Sequence, residues 1–288
     1  MLPEPPPLGS AMLPPDSLRG EVVVITGGGT GLGKAMAVEF ARLGASVAVM
    51  SRDPDHRAAG VAAVVECGAK AVGVQADVRD PEQIAAAFDE AEAALGPLTT
   101  LVNNASGNFP VAAERLSPGG WRAVTGIVLD GTYYCSTEFA RRRIETGGPG
   151  AILNILATKV WSGGPAHAHN SAAKAGVWNL TMSLAVEWAP FGIRVNAIAP
   201  GLFLHPDQAR LGVQHTGRAS SEDEAASTIP AGRVGRPHEL AWAATYLCSP
   251  YAAYVTGQSL VIDGANWLRR ERKMPPFRPI HEVLGLED

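Results

Sequence analysis

A glycine-rich run, Thr26-Gly27-Gly28-Gly29-Thr30-Gly31-Leu32-Gly33, joins a short β-branched stretch to a helical one. Glycines at 27, 31 and 33 permit a tight turn and let a pyrophosphate approach the backbone. The N-terminus of the following helix adds NH groups and a favourable dipole. Such a run can be a purely structural turn, but its place between the first strand and the first helix predicts a dinucleotide site. Thr26, Gly27, Gly29, Thr30, Gly31, Leu32 and Gly33 are the expected contacts.

The second expected strand ends at Ser51-Arg52. An NAD site usually offers a carboxylate there, whereas a small hydroxyl residue followed by a fixed cation suits a 2′-phosphate. Asp53 and Asp55 follow, so the acidic alternative stays open beside the NADP(H) reading that Ser51 and Arg52 favour. Asp77 and Val78, after the third strand, are expected near the adenine. Asn103, Asn104 and Ala105, after the fourth, are expected on the nicotinamide-ribose side.

The elements that must hold these groups are legible as alternation. Apolar runs lie at Val22–Thr26, Val47–Ser51, Ala71–Gln75, Thr100–Asn103, Ala151–Leu156, Arg194–Ala199 and Ser259–Ile262, with helical patterns between most of them. The patterns include Lys34–Leu43, Pro81–Leu95, Thr132–Arg143, Ser171–Trp188 and Pro237–Cys248. Continuously apolar strands alternating with helices predict an α/β fold: one Rossmann-type, doubly wound, seven-stranded parallel sheet with helices on both faces. The expected domain spans 18–267. A proline-rich arm, 1–17, precedes it and is read as loose, with polyproline tendency; a tail, 268–288, follows it.

The 288 residues can bury a sizeable core without disulfides. A net charge of −4 gives no reason to expect nucleic acid. No apolar run reaches membrane-spanning length. Cys67, Cys135 and Cys248 lie far apart and fit reduced thiols in the cytoplasm. His167 and His169 do not make a metal site without further ligands. The basic cluster Arg269, Arg270, Arg272 and Lys273 suits a solvated tail better than a phosphate site.

Taken together, the glycine loop, Asn103-Asn104-Ala105, Ser171-Ala172-Ala173-Lys174-Ala175, Arg194 to Gly201 and Val255-Thr256-Gly257 resemble the short-chain dehydrogenase/reductase family over 20–267. The resemblance implies that Lys174 is the family's catalytic lysine and that Pro200 and Gly201 border the cofactor. The family's other three catalytic positions are changed: asparagine is Val128, serine is Ala157 and tyrosine is Asn170.

Ala105-Ser106-Gly107-Asn108-Phe109, Leu116-Ser117-Pro118, Ile127 to Thr132 and Ala185-Val186-Glu187-Trp188 resemble one subgroup, the 2,4-dienoyl-CoA reductases. That resemblance implies an acyl-CoA substrate and NADP(H). It implies that Asn108 bonds the thioester carbonyl and that Lys174 holds the nicotinamide ribose. Phe109, Lys159, Asn170 and Arg210 join the substrate-side expectation. Lys159 stands where the mitochondrial type has a tyrosine, fifteen residues before the lysine, and Val128 where the peroxisomal type has an aspartate. Relatives assemble as tetramers through the helices matching Thr132–Arg143 and Ser171–Trp188, and use the segment after Gly201 as a substrate lid.

The chemistry tolerates these changes. Reducing a ketone leaves an alkoxide that needs a positioned acid. Reducing a conjugated thioester sends charge to the thioester oxygen as a dienolate, which needs an oxyanion site, and the proton can arrive later on carbon. Asn108 and Lys174 then carry the reaction, with Lys159 as a cationic stabiliser or a surface lysine, and Asn170 as a donor or a helix N-cap. Arg210 and Arg218 suit CoA phosphates or solvated charge equally. Two further readings stay open: an oxidoreductase for a steroid- or terpenoid-derived CoA thioester, and a silent NADP(H)-binding subunit.

Overall fold

The computed structural model describes residues 2–204 and 222–268, together with Gly285. Seven strands form one parallel sheet in the order β3-β2-β1-β4-β5-β6-β7. They are β1 (Val22–Thr26), β2 (Ser46–Met50), β3 (Ala71–Val74), β4 (Thr100–Asn103), β5 (Gly150–Ile155), β6 (Ile193–Pro200) and β7 (Ser259–Ile262). The order reverses between β1 and β4, and a crevice opens outside the strand ends at such a switch point.

The alternation of side chains along each strand divides the core in two. Val23 and Ile25 pack with Met36, Phe40, Leu240 and Ala244 of α1 (Gly31–Arg42) and α8 (Pro237–Cys248). Val22 and Val24 face the opposite way. They meet Phe88 of α3 (Pro81–Leu95), Phe139 of α5 (Gly131–Thr146) and Leu184 of α7 (Ala168–Trp188). Helices therefore cover both faces, and strands buried on both sides read as unbroken apolar runs.

Four details differ from the sequence expectation. A helix, α2 (Pro54–Val65), fills the stretch after β2; Asp53 caps it by accepting from the NH groups of Asp55 and His56, and Pro54 is its first residue. Helix α7 starts three residues early, at Ala168. Between α4 (Pro118–Thr125) and α5 the chain stays helical through a π turn, Gly126–Asp130, which holds the fully buried Val128.

The fourth concerns the N-terminal arm, which is docked rather than loose. The Leu2 NH donates to the Ala231 carbonyl at 2.7 Å, and Arg233 donates to the Pro3 carbonyl at 3.0 Å. Arg236 pairs with Glu4 at 3.0 Å, and Leu13 is buried in the core.

Candidate active site

A cleft of about 600 Å³ opens at the switch point. On the nucleotide side it is lined by Gly27, Thr30, Gly31, Leu32 and Gly33. Gly27 and Gly31 take left-handed conformations, φ +66° and +49°. A Cβ at Gly33 would meet the Gly27 carbonyl at 2.2 Å. Thr30, at the N-cap of α1, makes no capping bond with its own side chain. This glycine cradle, ending on a helix N-terminus, fits a pyrophosphate.

Two loop residues take other work. A Cβ at Gly29 would strike the His56 carbonyl at 2.0 Å, so Gly29 gives α2 its close approach and is not part of the cleft lining. Thr26 also lies behind the lining; its hydroxyl accepts from the NH groups of Asn104 and Ala105 at 3.0 and 2.9 Å. It ties the end of β1 to the loop after β4.

Ser51, Arg52, Asp77 and Val78 line the far end. Capping of α2 engages Asp53, which accounts for one of the two carboxylates that kept the acidic alternative open. Arg52 is exposed and lies 3.3 Å from Asp77. Arg57 donates to the carbonyls of Ser51 and Arg52 at 2.7 and 2.9 Å, a second cation at this corner that the sequence did not single out. The Arg79 guanidinium, bonded to Asp77 at 2.5 Å and assisted by Arg52, holds the Asp77 carboxyl down at about 2. His56 joins the lining as well.

Of the three residues at the end of β4 and just beyond it, Asn104 and Ala105 line the cleft and Asn103 does not. Asn103 donates to Ser136 and Asn154, each at 2.9 Å, and Asn154 donates to Thr181 at 2.9 Å. This buried chain joins β4, β5, α5 and α7, so Asn103 is a strut rather than a contact. Asn104 reaches back to the Thr26 and Gly27 carbonyls at 3.0 and 3.1 Å.

The reactive end gathers Asn108, Lys159, Asn170 and Lys174 with Ile155, Leu156 and Ala157. Among the described residues no tyrosine lines the cleft. Lys174 is buried and its ammonium donates to the Ile155 carbonyl. Burial pulls its pKa down to about 8. Lys159 opens the short helix α6 (Lys159–Ser162), packs its stem beside Gly164, and has its pKa lowered by burial.

Asn170 is not an N-cap; His167 occupies that position. Asn170 sits in the first turn of α7, buried, and donates to the Gly107 carbonyl at 3.2 Å.

Phe109, Pro200 and Gly201 stand off the lining. Phe109 packs edge-on against His169, centroids 4.6 Å apart. His169 is fully buried with both ring nitrogens unpartnered, and burial, then Lys159, lowers its pKa. A Cβ at Gly201 would meet Asp263 at 2.4 Å, so that glycine serves packing at the end of β6. Arg210 and Arg218 lie outside the described residues, as does the basic cluster of the tail. Among the described residues no group of three His, Cys, Asp or Glu could hold a metal, and no helix is long and apolar enough to cross a membrane.

A family model described as enoyl-(acyl carrier protein) reductase matches residues 27–265. A Bacillus subtilis (strain 168) protein named probable 2,4-dienoyl-CoA reductase, (2E)-enoyl-CoA-producing, is 41% identical over 86% of this chain and 97% of its own length. A protein of Eggerthella lenta named 3beta-hydroxysteroid dehydrogenase 1 is 38% identical over 88% of this chain and 96% of its own. The crystal structure of a short chain dehydrogenase from Bacillus anthracis superposes with a TM-score of 0.77 at 40% identity, covering 87% of this chain and 98% of that one. With that fold, that cleft and these likenesses, the chain belongs to the short-chain dehydrogenase/reductase family and is similar to its 2,4-dienoyl-CoA reductases.

Proposed function

We propose that this protein uses NADPH to reduce a conjugated carbon–carbon double bond in an acyl-CoA thioester. One observation carries the reading: Asn108, Lys159, Asn170 and Lys174 share one cleft that no described tyrosine enters. Two amides and two lysines without a phenol suit a reaction that needs an oxyanion site more than a positioned acid. The likeness to a relative named for this activity supports it.

When bound, NADPH supplies the hydride. Lys174 holds the ribose hydroxyls and adds positive potential from a buried position. Asn108 donates an amide NH to the thioester oxygen as charge gathers there. Lys159 adds a second cation on the same side. Water delivers the proton to carbon, so no side-chain acid is required. Asn170 acts through the loop it holds rather than on the substrate. At the other end Ser51 and Arg52, with Arg57 nearby, favour a 2′-phosphate.

The deciding experiment measures NADPH oxidation with 2,4-dienoyl-CoA, trans-2-enoyl-CoA, 3-ketoacyl-CoA and a free ketone. Turnover is expected on the dienoyl thioester, and Asn108→Ala is expected to lower kcat about 100-fold. Turnover of the ketones alone would sink the reading. Likeness to a named steroid dehydrogenase favours a second reading, a ring-bearing CoA thioester as substrate; steroid-derived thioesters added to the panel distinguish it. NADPH binding without turnover on any of these would leave a silent binding subunit.

We further propose a homotetramer packed through α5 and α7. Both helices present apolar side chains to solvent: Tyr133 and Ile144 on the first, and Val186, 79% exposed, on the second. Light scattering on the purified protein tests this, and a monomer would overturn it.

A further inference from the structure

Asn108 can stabilise an oxyanion only if its amide presents NH₂, and not C=O, to the thioester oxygen. An amide has a donor end and an acceptor end of nearly equal size, so a neighbour must tell them apart. The Oδ1 of Asn108 lies 3.1 Å from Nδ1 of His167. His167 stands at the N-cap of α7, where its side chain makes no capping bond. Its own backbone is fixed: its NH donates to the Gly164 carbonyl at 3.0 Å and its carbonyl accepts from Ser171 at 2.9 Å.

The same stretch grips the Asn108 loop twice more. The Val111 NH donates to the Ala166 carbonyl at 2.9 Å, and Asn170 donates to the Gly107 carbonyl at 3.2 Å. Three bonds from 166–170 therefore bracket Asn108. Asn108 lines the cleft, whereas His167 is not among the residues that line it.

The geometry points to His167 as the positioning residue for Asn108. Its Nδ1–H donates to the Asn108 carbonyl oxygen and thereby turns the NH₂ end toward the cleft. With Nδ1 bare, the amide would reverse to donate to that nitrogen, and a carbonyl would face the charge that develops on substrate. The inference rests on the proposed role of Asn108 as thioester donor, but its physical content, the proton on Nδ1, does not depend on the substrate.

The test has two parts. Nitrogen-15 NMR of the full-length protein, labelled at histidine rings and assigned by loss of the signal in His167→Gln, reports which ring nitrogen carries a proton. A protonated Nδ1 is expected. A bare Nδ1 overturns the inference, whatever the enzyme turns over. Kinetics follow with 2,4-dienoyl-CoA: His167→Ala should lower kcat on the order of tenfold, leave the Kd for NADPH unchanged, and add little to Asn108→Ala. Full activity in His167→Ala also overturns it. If the wild-type protein turns over nothing in the panel, the proposed function fails, and the NMR result alone decides the amide's orientation.

Discussion

Asn170 donates from its side-chain amide to the backbone carbonyl of Gly107, 3.2 Å away. The position that carries the family's phenol thus holds, in this chain, the loop on which Asn108 stands. Asn170→Asp removes the donor and sets a carboxylate against the carbonyl in a buried place. A loss of roughly 1–3 kcal/mol in stability is expected, with a fall in kcat that exceeds any change in NADPH affinity. Thermal unfolding and steady-state kinetics check both; equal losses in kcat and cofactor affinity would point to general unfolding instead.

Lys174 gives a pH dependence with opposite signs for activity and stability. Its pKa in the folded protein is about 8, against 10.5 for the free side chain, because burial disfavours the charge. Activity that needs the ammonium should fall as pH rises through about 8. Stability should rise over the same interval, from about 8 toward 10.5, because the unfolded chain there binds more protons than the folded one. Comparison with Lys174→Met isolates both effects: the variant should lack the stability rise and show weak activity at every pH.

Arg52→Ala removes an exposed cation from the corner proposed for a 2′-phosphate. The Kd for NADPH should rise about tenfold or more, with that for NADH little changed. Isothermal titration with both cofactors measures this, and equal weakening of the two would refute the 2′-phosphate reading. Arg57, fixed on the Ser51 and Arg52 carbonyls, should give a smaller effect of the same kind.

Lys159 lines the cleft, and among the described residues no ion pair with a carboxylate is found for it. Burial lowers its pKa, so the group is poised to add charge where little solvent screens it. Lys159→Met should reduce kcat on the dienoyl thioester about tenfold. An unchanged rate would return Lys159 to the role of a surface lysine.

Legibility in the sequence followed the range of the interactions. The strands were visible because burial on both faces leaves continuous apolar runs such as Val22–Thr26. Helix α2 was missed although its signal, Asp53 before Pro54, was present; reading it as a cap would also have withdrawn Asp53 from the ribose. Asn103 looked like a cofactor contact because its partners, Ser136 and Asn154, are 33 and 51 residues away in sequence. The pairing of His167 with Asn108 spans 59 residues and has no local signature. Grouping Asn108, Lys159, Asn170 and Lys174 in one cleft agrees with the expectation, whereas Phe109, Pro200 and Gly201 lie off its lining.

The docked N-terminal arm bears on how the protein can be handled and joined to others. Leu2 bonds to Ala231, beside Asp263 and Gly264, where the strands β6 and β7 have run out toward the cleft's edge of the sheet. A tag or fusion partner attached ahead of Leu2 would emerge on that edge and not on the opposite end of the molecule. It would stand at the carboxyl end of the sheet, the end at which the cleft also opens.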